Sequence, residues 1–586
     1  MATYTAPVAD IAFLLQRVFG FNTIMAGLPG YEEVNVDLAV SVMEEAGKFA
    51  ADVLEPLNRL GDEEGCTLEN GVVTTPKGVA AAYRAFAEAG WCSLSGDPAY
   101  GGQGLPWVLQ ILLDEMLSSA NLSFGLFPGL THGAVEAIRH HASAELKATY
   151  LPKMISGAWT GAMALTESSA GTDLGLLSTR AVPNADGSFA ITGTKIFISS
   201  GDQDFGGNIV HLVLARLPDA PKGVKGISLF LVPKFLVNAD GSLGARNSMS
   251  VGALEHKMGI HAQPTCVMNY DGATGWLVGE PGCGLNAMFT MMNAERLFVG
   301  IQGLGIAEAA NQKAIAYAKE RLQGGGADGT PGPVAIINHP DVRKMLLSGR
   351  AFAEAARALA VWTALQMDIA GRHTDAAVRK EADLLVALMT PVVKAAFTDF
   401  GFETAVASQQ VLGGHGYIRE WGMEQYVRDV RIAQIYEGTN GVQAMDLVGR
   451  KLALDGGKLT HRFFALIRAE LSAALPTAGE GLVAPVVEAL ARLERATQRL
   501  AESGGGMETG AAATDYLRLF ALVSFGWMWV RMAAAVPVAD EATPVETRKA
   551  TLARFFVERM LPQTLGLEAA LAHGASALMA LPADAF

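Results

Sequence analysis

A mainly α chain with a central β domain, ordered helix–β–helix and followed by a helical C-terminal extension, is what three features of this 586-residue sequence predict. Apolar residues recur at three- and four-residue spacing through residues 36–155 and again from 286 to about 453, the pattern of helices that bury one face. Between them the pattern shifts to short β-branched and apolar runs punctuated by Asn, Asp and Gly, the pattern of strands and turns. Residues 454–586 return to amphipathic spacing, as in GLVAPVVEALARLERATQRL.

A chain of this length exceeds one hydrophobic core, and five segments follow in order. Residues 1–35 read as a helical lead-in ending at Leu28-Pro29-Gly30. In 36–160 the stretches VDLAVSVMEEAGKFAADVLEPLN and GVAAAYRAFAEAG read as helices, interrupted by the loop GDPAYGGQGLP. In 161–285 the runs AMALTESSAG, SFAITGTKIFIS, NIVHLVLARLP and GISLFLVPKFL read as an antiparallel β domain. Residues 286–453 form a second helical domain, broken by QGGGADGTPGP, and 454–586 form the extension, with LPTAGEG and SGGGMETGA as connecting loops.

Composition narrows the function. A net charge of −14 argues against nucleic acid as a partner, because phosphate binding needs a concentrated basic surface. The four cysteines, Cys66, Cys92, Cys266 and Cys283, form no C-x-x-C pair and lie at no metal-ligand spacing to His, so neither a disulfide scaffold nor a metal site is expected. That points to a reducing, cytoplasmic compartment. The start of the chain carries Asp10 and lacks the basic lead and long apolar core of a secretory signal. Residues 519–539 are apolar, but Arg531 sits among them and Pro537 interrupts the helix. A span needs roughly 20 apolar residues, so this segment reads as a buried helix and no transmembrane segment is expected.

The densest chemical signal is QQVLGGHGYIREWGMEQYVRDVRIAQIYEGTNGVQ, residues 409–443. Gly413, Gly414 and Gly416 remove side chains where a backbone approaches something closely, and amide groups freed this way can bind pyrophosphate. Arg428-Asp429 follows, and then Glu437 in the turn Tyr436-Glu437-Gly438-Thr439. In order and spacing the whole string resembles the C-terminal signature of the acyl-CoA dehydrogenase family. The resemblance implies that Glu437 is the catalytic base, with Gly438 beside it against the substrate. It also implies that Gln410, Gly413 and Gly414 bind the FAD dinucleotide of a neighbouring subunit and that Thr439 lies near the FAD phosphates.

Two further blocks carry the same resemblance. MALTESSAGTDL, residues 163–174, is similar to the family's L-T-E-P-x-A-G-S-D loop, which implies flavin roles for Thr166 and Thr172. GTKIFISS, residues 193–200, is similar to its G-x-K-x-W-I-T-N strand, which implies that Phe197 packs on the flavin and Ser199 faces its N5. A third stretch, His256-Lys257-Met258-Gly259 and then Asn293-Ala294-Glu295-Arg296, resembles the family's turn and helix that contact CoA. It makes Asn293 and Arg296 the substrate candidates, against a plain helix-surface role for Arg296. The family's aromatic after Ala-Lys-Glu-Arg321 is replaced here by Leu322-Gln323-Gly324, so the FAD contact of Arg321 is the weakest of the set.

These residue types belong together chemically. The α-hydrogen of a thioester is weakly acidic, so a carboxylate base must be held in a site that raises its basicity. Charge developing on the thioester oxygen needs donors placed where it forms. The cofactor carries the hydride chemistry and the protein aligns the groups.

Other chemistries fit less well. Gly303-Leu304-Gly305 lies inside a helical pattern and not after a strand, so a nicotinamide-binding fingerprint is absent. No Gly-Lys-Ser/Thr phosphate loop and no Gly-x-Ser-x-Gly elbow occur. Within the family the rivals are an acyl-CoA oxidase and a DNA-binding flavoprotein relative. The length and extension resemble the larger branch, which includes very-long-chain acyl-CoA dehydrogenases and bacterial 3-(methylthio)propanoyl-CoA dehydrogenases; residues 388–403 and 557–582 look most like the latter. Medium- to very-long-chain acyl-CoAs remain the alternative substrates. The resemblance further implies electron-transfer flavoprotein as electron acceptor and, because the FAD site is shared, a homodimer.

Overall fold

The computed structural model describes residues 4–537 and 543–586, which divide into two compact units. One unit comprises Ala50–Leu105 and Ala120–Phe298; the other comprises Met1–Phe49, Pro106–Ser119 and Val299–Phe586. The helix Trp107–His141 is divided between them after Ser119, next to Asn121, whose backbone leaves the helical region (φ −161°, ψ 94°). Asn121 Oδ1 accepts from the Phe124 amide at 3.0 Å and so caps the second segment.

The first unit is built on a seven-stranded sheet with helices beside it. Strands Phe189–Ser199 and Thr265–Val278 pair antiparallel along most of their length. The expected antiparallel domain needs a correction here. Trp159–Ala164 runs parallel to Asn208–Arg216, and Arg180 meets Arg216 in parallel too, so the sheet is mixed. The hairpin Arg180–Pro183/Phe189–Ser199 lies between those strands in sequence and supplies the long connection that parallel pairing requires. The first strand also begins at Trp159, and residues 165–171 of the expected run form a loop. A small hairpin, Thr67–Glu69 with Val72–Thr74, lies in a region read as helical. Its turn is Asn70-Gly71, both at positive φ (51° and 77°), as a two-residue hairpin demands.

The second unit is helical. Gly284–Glu320 (from Val299 on), Pro340–Arg372 and Ala376–Val411 are its long helices before the extension. Gly303, passed over as a dinucleotide motif, is a packing glycine: a Cβ there would lie 2.4 Å from the Phe397 carbonyl oxygen, and one at Gly401 2.4 Å from that of Gly303. The two helices therefore cross with their backbones nearly touching.

The extension completes this unit. Helix Glu480–Glu502 buries Val483, Val486, Ala489, Leu490, Leu493 and Ala496, the stripe its sequence promised. Helix Lys458–Ala478 runs through Pro476 and stops only at Gly479, so LPTAGEG is mostly helix and not a loop. In Met507–Ala534 every residue from Leu519 to Val530 is buried. Phe525 packs against Phe352, Phe397 and Phe400, and Trp362 against Phe463 and Trp527. Among the described residues two helices, Ala376–Val411 and Met507–Ala534, are long and apolar enough to cross a membrane, and each has 78% of its apolar window buried inside the chain. Of residues 519–539, positions 538 and 539 lie outside the described residues.

A buried ionic cluster joins the chain's two ends within this unit. Arg357, 1% exposed, donates to Glu115 (2.6 and 3.0 Å), Glu308 (2.9 Å) and Asp10 (2.5 Å). Lys549 of the extension, fully buried, pairs with Asp10 and with Glu354 (2.7 Å), which Arg350 and Arg548 also contact. Burial alone would raise the Asp10 carboxyl, but Lys549 and Arg357 outweigh it and hold it below the usual carboxylate range.

Candidate active site

The flavin candidates of the first unit lie on the internal strand Phe189–Ser199 and in the loop after Trp159–Ala164, and a β-bulge explains the arrangement on the strand. Between the pairs Lys195–Met268 and Ile198–Cys266, two residues, Ile196 and Phe197, stand opposite one, Val267. A bulge bends the strand and re-aims a side chain. Phe197 takes φ 61° and its ring is 59% exposed, where a strand interior would have buried it or paired it. The Ile196 amide donates to the Thr166 carbonyl at 2.9 Å, tying the loop that holds Thr166 to this strand. The side chains of Thr166 and Ser199 are half-buried, that of Thr172 is exposed, and none hydrogen-bonds within the described residues.

What fixes this loop was missed by sequence reasoning. Glu167, buried, accepts from the Ser178 amide and hydroxyl (both 2.7 Å), the Thr179 amide (3.0 Å) and hydroxyl (2.6 Å), and Lys195 Nζ (2.9 Å). Lys195, wholly buried on the bulged strand, also donates to the Leu165 carbonyl at 2.9 Å. Burial pushes the Glu167 carboxyl up, but Lys195 and the Thr179 and Ser178 donors prevail and hold it at about 2. A charged pair with every oxygen satisfied makes a rigid mount. Both residues lie inside the motifs already quoted, so their pairing was the missing fact.

The second unit carries the base candidate. Helix Met423–Ala433 ends just before the turn Tyr436-Glu437-Gly438-Thr439, and Thr439 caps helix Asn440–Asp446 through its hydroxyl, which accepts from the Val442 amide at 3.3 Å. Glu437 and Gly438 both adopt left-handed backbone (φ 55° and 81°). For Glu this costs of order 1–3 kcal/mol and persists only where the surroundings overdetermine it. They do. Gln443 Nε2 donates to the carbonyls of Glu437 (3.0 Å) and Gly438 (3.2 Å), Lys394 Nζ donates to Gly438 (2.9 Å), and the Tyr436 hydroxyl donates to Gln302 Oε1. The Glu437 side chain is half-buried.

In the glycine segment of the same unit the roles differ. Gly416 is required by packing, since a Cβ would lie 2.2 Å from the Gln409 carbonyl oxygen. Gly413 adopts φ 57°, and it and Gly414 have nothing within 4 Å of a Cβ position, which leaves their backbone open to a ligand. Gln410 and Arg321 are exposed. Back in the first unit, Arg296 is only 8% exposed and lies 5.9 Å from the Phe289 ring centroid, so the helix-surface alternative does not hold. Asn293 on the same helix is exposed.

Comparison with known proteins places this arrangement. Residues 39–158 match the acyl-CoA dehydrogenase N-terminal domain, 162–273 the middle domain and 282–452 the C-terminal domain. Residues 463–582 match the acetyl-CoA dehydrogenase C-terminal-like domain. The chain is 46% identical over 88% of its length, and 85% of the other protein's, to 3-methylmercaptopropionyl-CoA dehydrogenase of Ruegeria pomeroyi. It is 32% identical, over 96% of both chains, to the broad-specificity linear acyl-CoA dehydrogenase FadE5 of Mycobacterium tuberculosis. Among solved structures, an acyl-CoA dehydrogenase from Bacillus anthracis complexed with FAD superposes with a TM-score of 0.74 at 21% identity, covering 96% of this chain and 91% of that one. The chain belongs to the acyl-CoA dehydrogenase family. It is an FAD-dependent oxidoreductase that acts on acyl-CoA.

The residues present fit that cofactor. An exposed aromatic on a bulge offers a stacking face, and the half-buried hydroxyls of Thr166 and Ser199 have no partner among the described residues. We expect Ser199→Ala to leave the melting temperature unchanged and to weaken FAD retention or hydride transfer by one hydrogen bond, about 0.5–1.5 kcal/mol. Equal retention and equal rate would mean that Ser199 does not face the cofactor.

Proposed function

We propose that this enzyme dehydrogenates 3-(methylthio)propanoyl-CoA between its α and β carbons, with Glu437 as the base. The observation that carries the substrate is the 46% identity to the Ruegeria pomeroyi enzyme, which extends over 88% of the chain. The similarity to FadE5 along 96% of both chains supports a second reading, a linear fatty acyl-CoA of medium to very long chain.

Glu437 removes the α-proton, and the left-handed turn directs its carboxylate while Gly438 leaves room for the thioester. FAD, when bound, accepts the β-hydride. Thr166, Thr172, Phe197 and Ser199 orient it, Thr439 and Arg321 contact it, and Gln410, Gly413 and Gly414 bind the FAD of a neighbouring subunit. Asn293 and Arg296 hold the CoA moiety. Electrons leave to electron-transfer flavoprotein; peroxide release during turnover would instead mark an acyl-CoA oxidase. Net charge −14 speaks against the DNA-binding relative. The four thiols are all unpaired, and burial pushes those of Cys66, Cys92 and Cys266 up to about 12, which suits a reducing cytoplasm.

Turnover with an artificial electron acceptor across acyl-CoAs of graded length, the methylthio ester included, tests the substrate. The highest kcat/KM should fall on the methylthio ester; a maximum at longer chains would favour the second reading.

The assembly we propose is a homodimer. The extension's helices bury their apolar faces against the catalytic helices of the same unit, with Arg462–Glu381 and Arg518–Glu403 pairs at the margin, covering a surface through which dimers could pair. Light scattering should give a mass near twice 61.6 kDa; a concentration-independent tetramer would refute the covering argument.

A further inference from the structure

Lys394 lies on helix Ala376–Val411 and is completely buried. A buried ammonium is costly unless its protons are taken up, and two of its bonds end on the turn that carries Glu437. Nζ donates to the Gly438 carbonyl and to Asn440 Oδ1, each at 2.9 Å. Asn440 is itself anchored: its Nδ2 donates to Asp399 Oδ1 (2.7 Å) and Thr398 Oγ1 (2.9 Å). Gln434 Nε2 donates to the same Asp399 oxygen at 2.6 Å. Lys394, Thr398 and Asp399 lie close together on one helix, so a single rigid element grips both ends of the 434–440 segment. Gln443 grips the Gly438 carbonyl from the far side.

We infer that Lys394 is a positioning residue for α-proton removal, holding the Gly438 carbonyl so that Glu437 stays in the left-handed conformation that aims its carboxylate. The inference rests on the reading of Glu437 as the base. Its chemistry is geometric. With the ammonium gone, the Gly438–Thr439 peptide keeps only the longer bond from Gln443, the turn can relax toward ordinary backbone, and the carboxylate leaves its line of attack while the binding surface for CoA is untouched.

The test compares FAD-loaded Lys394→Met, Lys394→Arg and Glu437→Gln with the wild type by anaerobic stopped flow, using the best substrate of the graded series. The concentration dependence of flavin reduction gives the limiting rate and the acyl-CoA Kd, and melting temperatures are measured alongside. Lys394→Met should reduce its flavin about 10²-fold more slowly, the scale expected of a small misplacement, with the Kd nearly unchanged. Lys394→Arg, which keeps charge and donors, should recover part of the loss. A Lys394→Met rate equal to wild type, or a loss expressed in the Kd, overturns the inference when Glu437→Gln is inactive. An active Glu437→Gln overturns the base assignment instead. Should Lys394→Met not fold, Gln443→Leu strips the other donor from the same carbonyl and should show the same split; an unchanged rate there overturns the inference.

Discussion

Glu437→Gln folds, binds FAD and acyl-CoA, and loses dehydrogenation by about 10²–10⁴-fold or more, the range a positioned general base supplies. The amide keeps the shape and volume of the side chain but cannot accept the proton. The turn survives the change because its clamps hold the backbone carbonyls of residues 437 and 438 and not the carboxylate: Gln443 grips both and Lys394 the second. The left-handed φ of 55° is therefore held through carbonyls that the substitution keeps. The loss should appear in kcat with KM little changed, the sign of an interaction made in the transition state. Steady-state kinetics with FAD content and melting temperature measured on the same sample check it. A KM effect alone would mean that Glu437 binds substrate and does no chemistry.

Arg357→Met is the substitution expected to cost the most stability, about 3–5 kcal/mol, because removing one partner of a buried ion pair strands the others. Arg357 satisfies Glu115, Glu308 and Asp10 at once. Without it Asp10 keeps only Lys549, and Glu115, which burial already raises despite Arg357, loses its main counter-charge. Thermal and denaturant unfolding should both move strongly toward the unfolded state, and Lys549→Met should do so from the other end of the chain. A melting temperature for Arg357→Met equal to wild type would show that the cluster is not what fastens the extension to the catalytic helices.

How much of this was legible in the sequence depended on how local the signal was. The helical and β stretches could be read because periodicity is a property of neighbours: the stripe Val483, Val486, Leu490 and Leu493 is buried as its spacing demands. The turn around Glu437 was legible as a motif. The means that hold it were not, because Lys394 stands 44 residues before Gly438 and a lone Lys in an apolar helix has no local mark. The bulge at Phe197 depends on a count against a partner strand that no single strand displays. The cluster around Arg357 was the least legible, with Asp10 and Lys549 separated by 539 positions. The parallel pairings were misread for the same reason, since alternation tells which face a residue takes and not the direction of the neighbouring strand.

The most direct measurement of the central claim isolates proton removal from hydride transfer. Tert-butylacetyl-CoA has α-hydrogens and no β-hydrogen, so it can be deprotonated but not dehydrogenated. Incubated in heavy water with the FAD-loaded wild type, it should exchange its α-hydrogens for deuterium, as followed by proton NMR. With Glu437→Gln, exchange should fall to the uncatalysed rate; continued exchange by that variant would contradict the account.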